Sequence, residues 1–254
     1  MTSTDAGRPA ADAGRPDSGA GRPGGLGDDA VRESLAGLLN APAPGEWLRR
    51  ADAPAGINVR DAAVLMLFGR GQAPRTPAGE AELDRLAELG IADIDIVLLQ
   101  RAATLRHHAG QPAFPGGARD DTDSSSAFTA LREAEEETGL DPAGVDVIGT
   151  LPPLFVPHSR FDVTPVLAWW REPTQVEVVD QAESALVARV AIADLVAPDN
   201  RGIFAPRDRP FETPVFDVGL MRPWGFTAGL LEWALDQLGW ARDWDRTRRI
   251  HIDF

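Results

Sequence analysis

Residues 116–140, GGARDDTDSSSAFTALREAEEETGL, constrain this 254-residue chain more than any other stretch. Two successive glycines, Gly116 and Gly117, let the backbone take positive φ or approach a ligand closely. An acidic loop with Asp120, Asp121 and Asp123 follows, and then a predicted helix carries Arg132, Glu133, Glu136 and Glu137. Gly139 stands where a glycine ends a helix by turning left-handed. Glu133, Glu136 and Glu137 are spaced i, i+3 and i+4, which puts their carboxylates on one face. Three carboxylates that close together stay ionised only where water or cations compensate them. Hard oxygen ligands of this kind suit Mg²⁺ or Mn²⁺. Arg132 reaches Glu136 one turn on, and Phe128, Leu131 and Ala134 are expected to form the packing face. An EAEEE run alone also reads as a solvated helix face. Its conjunction with the glycine turn and the acidic loop is what points to a divalent-cation site able to bridge phosphate oxygens and activate water.

The rest of the composition removes alternatives. The chain has no cysteine, which excludes disulfides, thiolate metal sites and a thiol nucleophile. It has no lysine, so a Schiff base or a phosphate-loop lysine is excluded as well. Four scattered histidines do not make a zinc-type cluster. A formal net charge of −14 opposes a nucleic-acid binder but leaves room for a small anionic substrate met by metal ions or a few arginines. With no membrane-length apolar run and no apolar leader, the expectation is a cytoplasmic protein without a membrane partner.

Along the chain, residues 1–28 repeat AGRP three times and are expected to be a disordered tail. Residues 29–254 are expected to form one domain. Val31, Leu35, Leu38 and Leu39 recur at helical spacing behind Asp28 and Asp29. Residues 62–68, 94–99, 145–151, 161–170 and 186–191 read as strands. Residues 80–89 read as a short surface helix and 198–214 as a long loop. The last helix is expected over 227–238, with Thr227 as its N-cap. The order of elements argues for a compact mixed α/β domain rather than a doubly wound sheet.

The stretch from Arg132 to Leu140 resembles the second half of the Nudix box, G-x5-E-x7-R-E-U-x-E-E-x-G-U, where U is bulky and apolar. Ala134 is small at one U position, Gly117 lies fifteen residues before Arg132 rather than fourteen, and Asp123 stands where the box has Glu. The extra residue and the Asp look like the coenzyme A pyrophosphatase branch. So does the upstream run Leu98, Arg101, Arg106, His108, Gly110, Phe114, Pro115, Gly116 and Gly117. Leu99 and Ala102 replace the Thr and Ser of that run. Downstream, the run of residues 224–228, WGFTA, resembles one typical of the branch.

The resemblance implies an α/β/α sandwich with a mixed sheet and a loop–helix–loop metal site. By position, Glu133, Glu136, Glu137 and the Gly117 carbonyl would bind Mg²⁺ or Mn²⁺. Arg132 would orient a glutamate, and Glu137 or Glu183 would act as base. Arg101, Arg106, His108, Phe114 and Gly116 would meet the substrate. The activity implied is hydrolysis of the coenzyme A diphosphate, free or acylated, to 3′,5′-ADP and 4′-phosphopantetheine. ADP-ribose, NADH or another nucleoside diphosphate derivative is the alternative substrate, and a non-catalytic ligand sensor is the alternative role. The partner is then a small molecule, and a homodimer is the candidate assembly.

Overall fold

A computed structural model of the chain describes residues 25–44, 58–105, 108–157, 159–206 and 211–252. In chain order the elements are α1 (Asp28–Gly37), β1 (Arg60–Arg70), α2 (Pro77–Glu80), α3 (Leu83–Glu88), β2 (Ile94–Arg101), β3 (Pro112–Ala113), β4 (Gly116–Ala118), α4 (Ser126–Thr138), β5 (Val145–Thr150), β6 (Leu154–Val156), β7 (Phe161–Trp170), β8 (Ser184–Ala191), α5 (Ile192–Val196), β9 (Arg201–Phe204), β10 (Thr213–Phe216) and α6 (Gly225–Gln237).

The continuous apolar runs become strands because both faces of the sheet are covered. Along β1, Ala63, Leu65 and Leu67 face one core with α4, and Met66 and Phe68 face a second, larger core. That alternation is the strand period of two, with apolar residues at both phases. The larger core takes Val31 and Leu35 from α1, Leu38 from the turn that follows it, Leu86 from α3, Ile192 and Leu195 from α5, and Leu230, Leu231 and Ala234 from α6. The result is three layers, helix on sheet on helices. The sheet is mixed: β1 runs parallel to β7, and the other pairings are antiparallel.

One irregularity of the sheet matters for function. β1 and β2 pair only at Phe68–Ile96, Gly69–Asp95 and Arg70–Ile94. Beyond that point they part. Leu99 and Gln100 of β2 take Ala113 and Pro112 of β3 as partners, and Ala62–Val64 of β1 pair with β4. The ribbon β3–β4 therefore wedges the two strands apart and brings the double glycine to the middle of the sheet.

Several expectations change. Phe128, assigned to the packing face of the helix, is 50 % exposed, whereas Ala130 and Ala134 are fully buried. The helix meets the sheet through its small residues, and Phe128 lies on another side. The expected loop 198–214 contains a short helical turn, β9 and the start of β10, which the Pro and Arg content concealed. Thr227 does not cap the last helix: the cap position is Trp224, and Thr227 lies within the first turn. Residues 1–24 of the expected tail lie outside the described residues. Leu26 already donates to the Gly90 carbonyl at 2.9 Å, and α1 begins at Asp28.

Candidate active site

The helix α4 is set by local chemistry at both ends. Ser125 accepts a hydrogen bond from the Phe128 amide at 3.1 Å and so caps the first turn. Gly139 closes the last turn with φ 68°, a left-handed position that favours glycine. Between the caps, Ala130 and Ala134 let the helix axis approach β1 closely. Glu133 and Glu137 are thereby carried to the edge of the wedge.

Glu137 is strongly altered by its surroundings. It is 6 % exposed. Burial pushes its carboxyl up to about 7, opposed by a hydrogen bond from the Gly116 amide and by the charge of Arg101, and reinforced by the charges of Glu133 and Glu183. The Gly116 N–H donates to Glu137 Oε2 at 2.9 Å, and Arg101 Nη1 stands 3.8 Å from Oε1. Glu133 is also raised, chiefly by burial, with the Arg132 hydrogen bond lowering it. A Cβ on Gly117 would fall 2.4 Å from the Glu133 carboxylate, so that glycine and that glutamate are in close contact. A Cβ on Gly116, where φ is +151°, would fall 2.3 Å from the Ala63 carbonyl oxygen of β1.

Arg132 is the hub beneath these groups. Its guanidinium donates to both oxygens of Asp123, from Nε at 3.1 Å and Nη2 at 3.0 Å, a bidentate geometry. It also donates to Glu133 Oε1 at 3.0 Å, Glu136 Oε2 at 2.9 Å and the Ala118 carbonyl at 3.2 Å. The Arg132 hydrogen bond holds the Asp123 carboxyl well below the usual carboxylate range, and Asp123 raises Arg132 in return. Asp123 also accepts from the Asp120 amide at 3.0 Å, which closes the acidic loop on itself. The sequence pattern placed Asp123 among loop acids near the helix start. In the structure its side chain is wholly buried and clamps the box arginine. The register was the available signal, since Asp123 stands at the acidic position of the box.

The expected site residues thus fall into groups. Glu133, Glu137, Gly116, Gly117 and Arg101 come together. Glu183 stands near enough for its charge to act on Glu137, with its side chain at the exposed rim. Glu136 is turned outward onto Arg132 with its side chain 58 % exposed. Among the described residues no three His, Asp or Glu side chains converge as a ready-made metal cluster. His108 has φ 55° and its Nδ1 lies 2.8 Å from Gln111 Oε1, a contact that closes its own turn. Phe114 is 2 % exposed in the larger core, where it anchors the ribbon instead of presenting a face to a ligand. Arg106 lies outside the described residues. Leu99 and Ala102, where a Thr and a Ser were expected, are 1 % and 5 % exposed.

Residues 89–211 match the family model described as NUDIX domain. A protein of Cronobacter sakazakii (strain ATCC BAA-894) named uncharacterized Nudix hydrolase NudL is 60 % identical over 72 residues, which are 28 % of this chain and 37 % of that protein. Its namesake in Escherichia coli (strain K12) is 56 % identical over 72 residues, again 28 % and 37 %. The chain therefore spans about 37 % of the length of these curated relatives. Among solved structures, a Nudix hydrolase from M. Smegmatis, RenU, superposes with a TM-score of 0.44 at 20 % identity, covering 74 % of this chain and 90 % of that one. The matched span runs from Leu89 past β9 and takes in the ribbon, the Asp123–Arg132 clamp and all of α4, so this part of the chain is similar to a Nudix domain.

Proposed function

We propose that this chain is a Mg²⁺- or Mn²⁺-dependent hydrolase that cleaves the diphosphate bond of coenzyme A, free or acylated. The observation that carries the reading is Glu137. Burial pushes this carboxyl up to about 7, Glu133 and Glu183 add to the shift, and the nearby Arg101 offsets it only in part, so a further cation there would be stabilised. The donor set fits a hard dication: Glu133 and Glu137 would supply carboxylate oxygens, and a cation held by them would favour the ionised form of both. Glu133 and Glu137 would hold it, with Glu136, paired with Arg132, as the third candidate.

A divalent cation at that place supplies electrophilic charge to phosphoryl oxygens and lowers the pKa of water. The chain's own residues do the rest. Arg101 offers a guanidinium to a substrate phosphate; its Nε is buried without an acceptor among the described residues. Arg132 fixes Glu133 and is itself fixed by Asp123. Glu137 or Glu183 at the rim takes the proton of the attacking water. The water oxygen bonds to phosphorus, the bridging P–O bond breaks, and its electron pair leaves with the second phosphate. The products are 3′,5′-ADP and 4′-phosphopantetheine, which keeps the acyl group where the substrate carries one.

The choice of coenzyme A rests on the upstream run that contains Arg101 and Arg106. The burial of Leu99 and Ala102 supports it: hydroxyls there would face packed protein, so their replacement removes no donor from a ligand. The test is a panel of coenzyme A, acetyl-coenzyme A, ADP-ribose and NADH with Mg²⁺ and Mn²⁺, scored by kcat/KM. Coenzyme A should lead, and Glu137→Gln should lower kcat by at least about 100-fold with the fold intact. A lead for ADP-ribose or NADH would move the substrate, and near-normal turnover by Glu137→Gln would remove the site assignment.

A further inference from the structure

The run Trp224–Ala228 has no part in the chemistry above, yet it touches the ribbon that carries the site. The Arg101 amide donates to the Gln111 carbonyl at 3.0 Å. In an antiparallel ladder the next pair along, Gln100 with Pro112, is then of the non-hydrogen-bonded kind, and the Pro112 carbonyl points away from β2. Pro112 is buried, so that carbonyl needs a donor from elsewhere. It finds one in Thr227, whose hydroxyl donates to it at 3.0 Å from the first turn of α6, 115 residues on. Thr227 is 6 % exposed, and this is a side-chain bond to the outer edge of a strand only two residues long.

From Pro112 the chain runs straight into the site. Phe114 enters the same core as Ala228. The Pro115 carbonyl accepts from the Leu65 amide at 2.8 Å, and the Gly116 amide then donates to Glu137. We infer that Thr227 is a positioning residue: its hydroxyl fixes the outer edge of the ribbon, and through it the Gly116 N–H that holds Glu137. Thr227 has no capping role, because the cap position of α6 is Trp224, and a packing role would not require the hydroxyl, because a Val side chain fills the same volume.

This inference rests on the hydrolase reading for its kinetic arm, and a second arm is independent of it. In the kinetic arm, Thr227→Val is expected to lower kcat roughly tenfold while KM holds, as for a displaced rather than a missing group. Thr227→Ser, which keeps the hydroxyl, restores kcat. In the second arm, hydrogen exchange followed by NMR reads the Gly116 and Leu65 amides directly. They should exchange roughly tenfold faster in Thr227→Val and at the wild-type rate in Thr227→Ser. Wild-type exchange at both amides in Thr227→Val overturns the inference, as does faster exchange spread evenly over the whole domain or a loss that Ser fails to restore. If the wild-type protein turns over nothing in the panel, the hydrolase reading falls and the exchange arm alone decides the role of Thr227.

Discussion

Two adjacent glycines separate what the site needs from what the fold needs. At Gly116 the positive φ and the Ala63 carbonyl leave no room for a side chain, because backbone cannot move aside. At Gly117 the obstacle is the carboxylate end of Glu133, which can rotate away. Gly116→Ala is therefore expected to destabilise the domain by about 1–3 kcal/mol, seen as a lower Tm. Gly117→Ala is expected to leave Tm nearly unchanged and, on the proposed function, to remove most metal-dependent turnover, because it displaces the Glu133 carboxylate rather than a strand. Thermal melts and initial rates on the same samples check both. A large Tm loss at Gly117→Ala with normal activity would reverse the assignment.

At the scale of elements, α4 owes its position to small residues. Ala130 and Ala134 lie flat against Ala63, Leu65, Val166 and Trp170, and the bulk comes from the sheet. The box expects a bulky residue at the place of Ala134, so here volume has moved from the helix to its partners. Ala134→Leu should overpack this seam and cost about 1–3 kcal/mol, measured by denaturant unfolding, with activity falling as the helix is pushed off the wedge.

The same seam shows what was legible in the sequence. The apolar runs 62–68, 94–99 and 161–170 became β1, β2 and β7, because continuous burial leaves a pattern in the residues themselves. The box glutamates, Arg132 and Gly139 were legible because their spacing is local. Phe128 was assigned to the wrong face because its apolarity outweighed the two alanines. β3 and β4 were illegible: their few residues, including two glycines and a proline, hold strand geometry only through partners elsewhere in the chain. The buried place of Asp123 and the bond from Thr227 to Pro112 depend on tertiary approach, which no local pattern encodes.

For the molecule as a whole, the proposed function implies a stability that depends on pH and on metal together. Glu137 has its ordinary value near 4.5 when unfolded and about 7 when folded. Between those values the folded state binds the extra proton, so stability falls as pH rises through the window and is fully present only below it. Glu133 and Asp95 are raised by burial as well and act in the same direction. For Glu137 alone the difference amounts to about 3 kcal/mol, which is the free energy of forcing its charge into a buried place. Asp123 works in the opposite sense, but its lowered value confines the loss to pH below about 4. With chelator present, Tm should therefore decline from pH 5.5 to pH 8. A cation held by Glu133 and Glu137 competes with the proton, and its stabilisation grows with its affinity for the ionised pair. Millimolar Mn²⁺ should thus raise Tm more at pH 8 than at pH 5.5, and Glu137→Gln should flatten both the decline and the metal response. If Mn²⁺ stabilises equally at the two pH values, it binds somewhere other than the Glu133–Glu137 face.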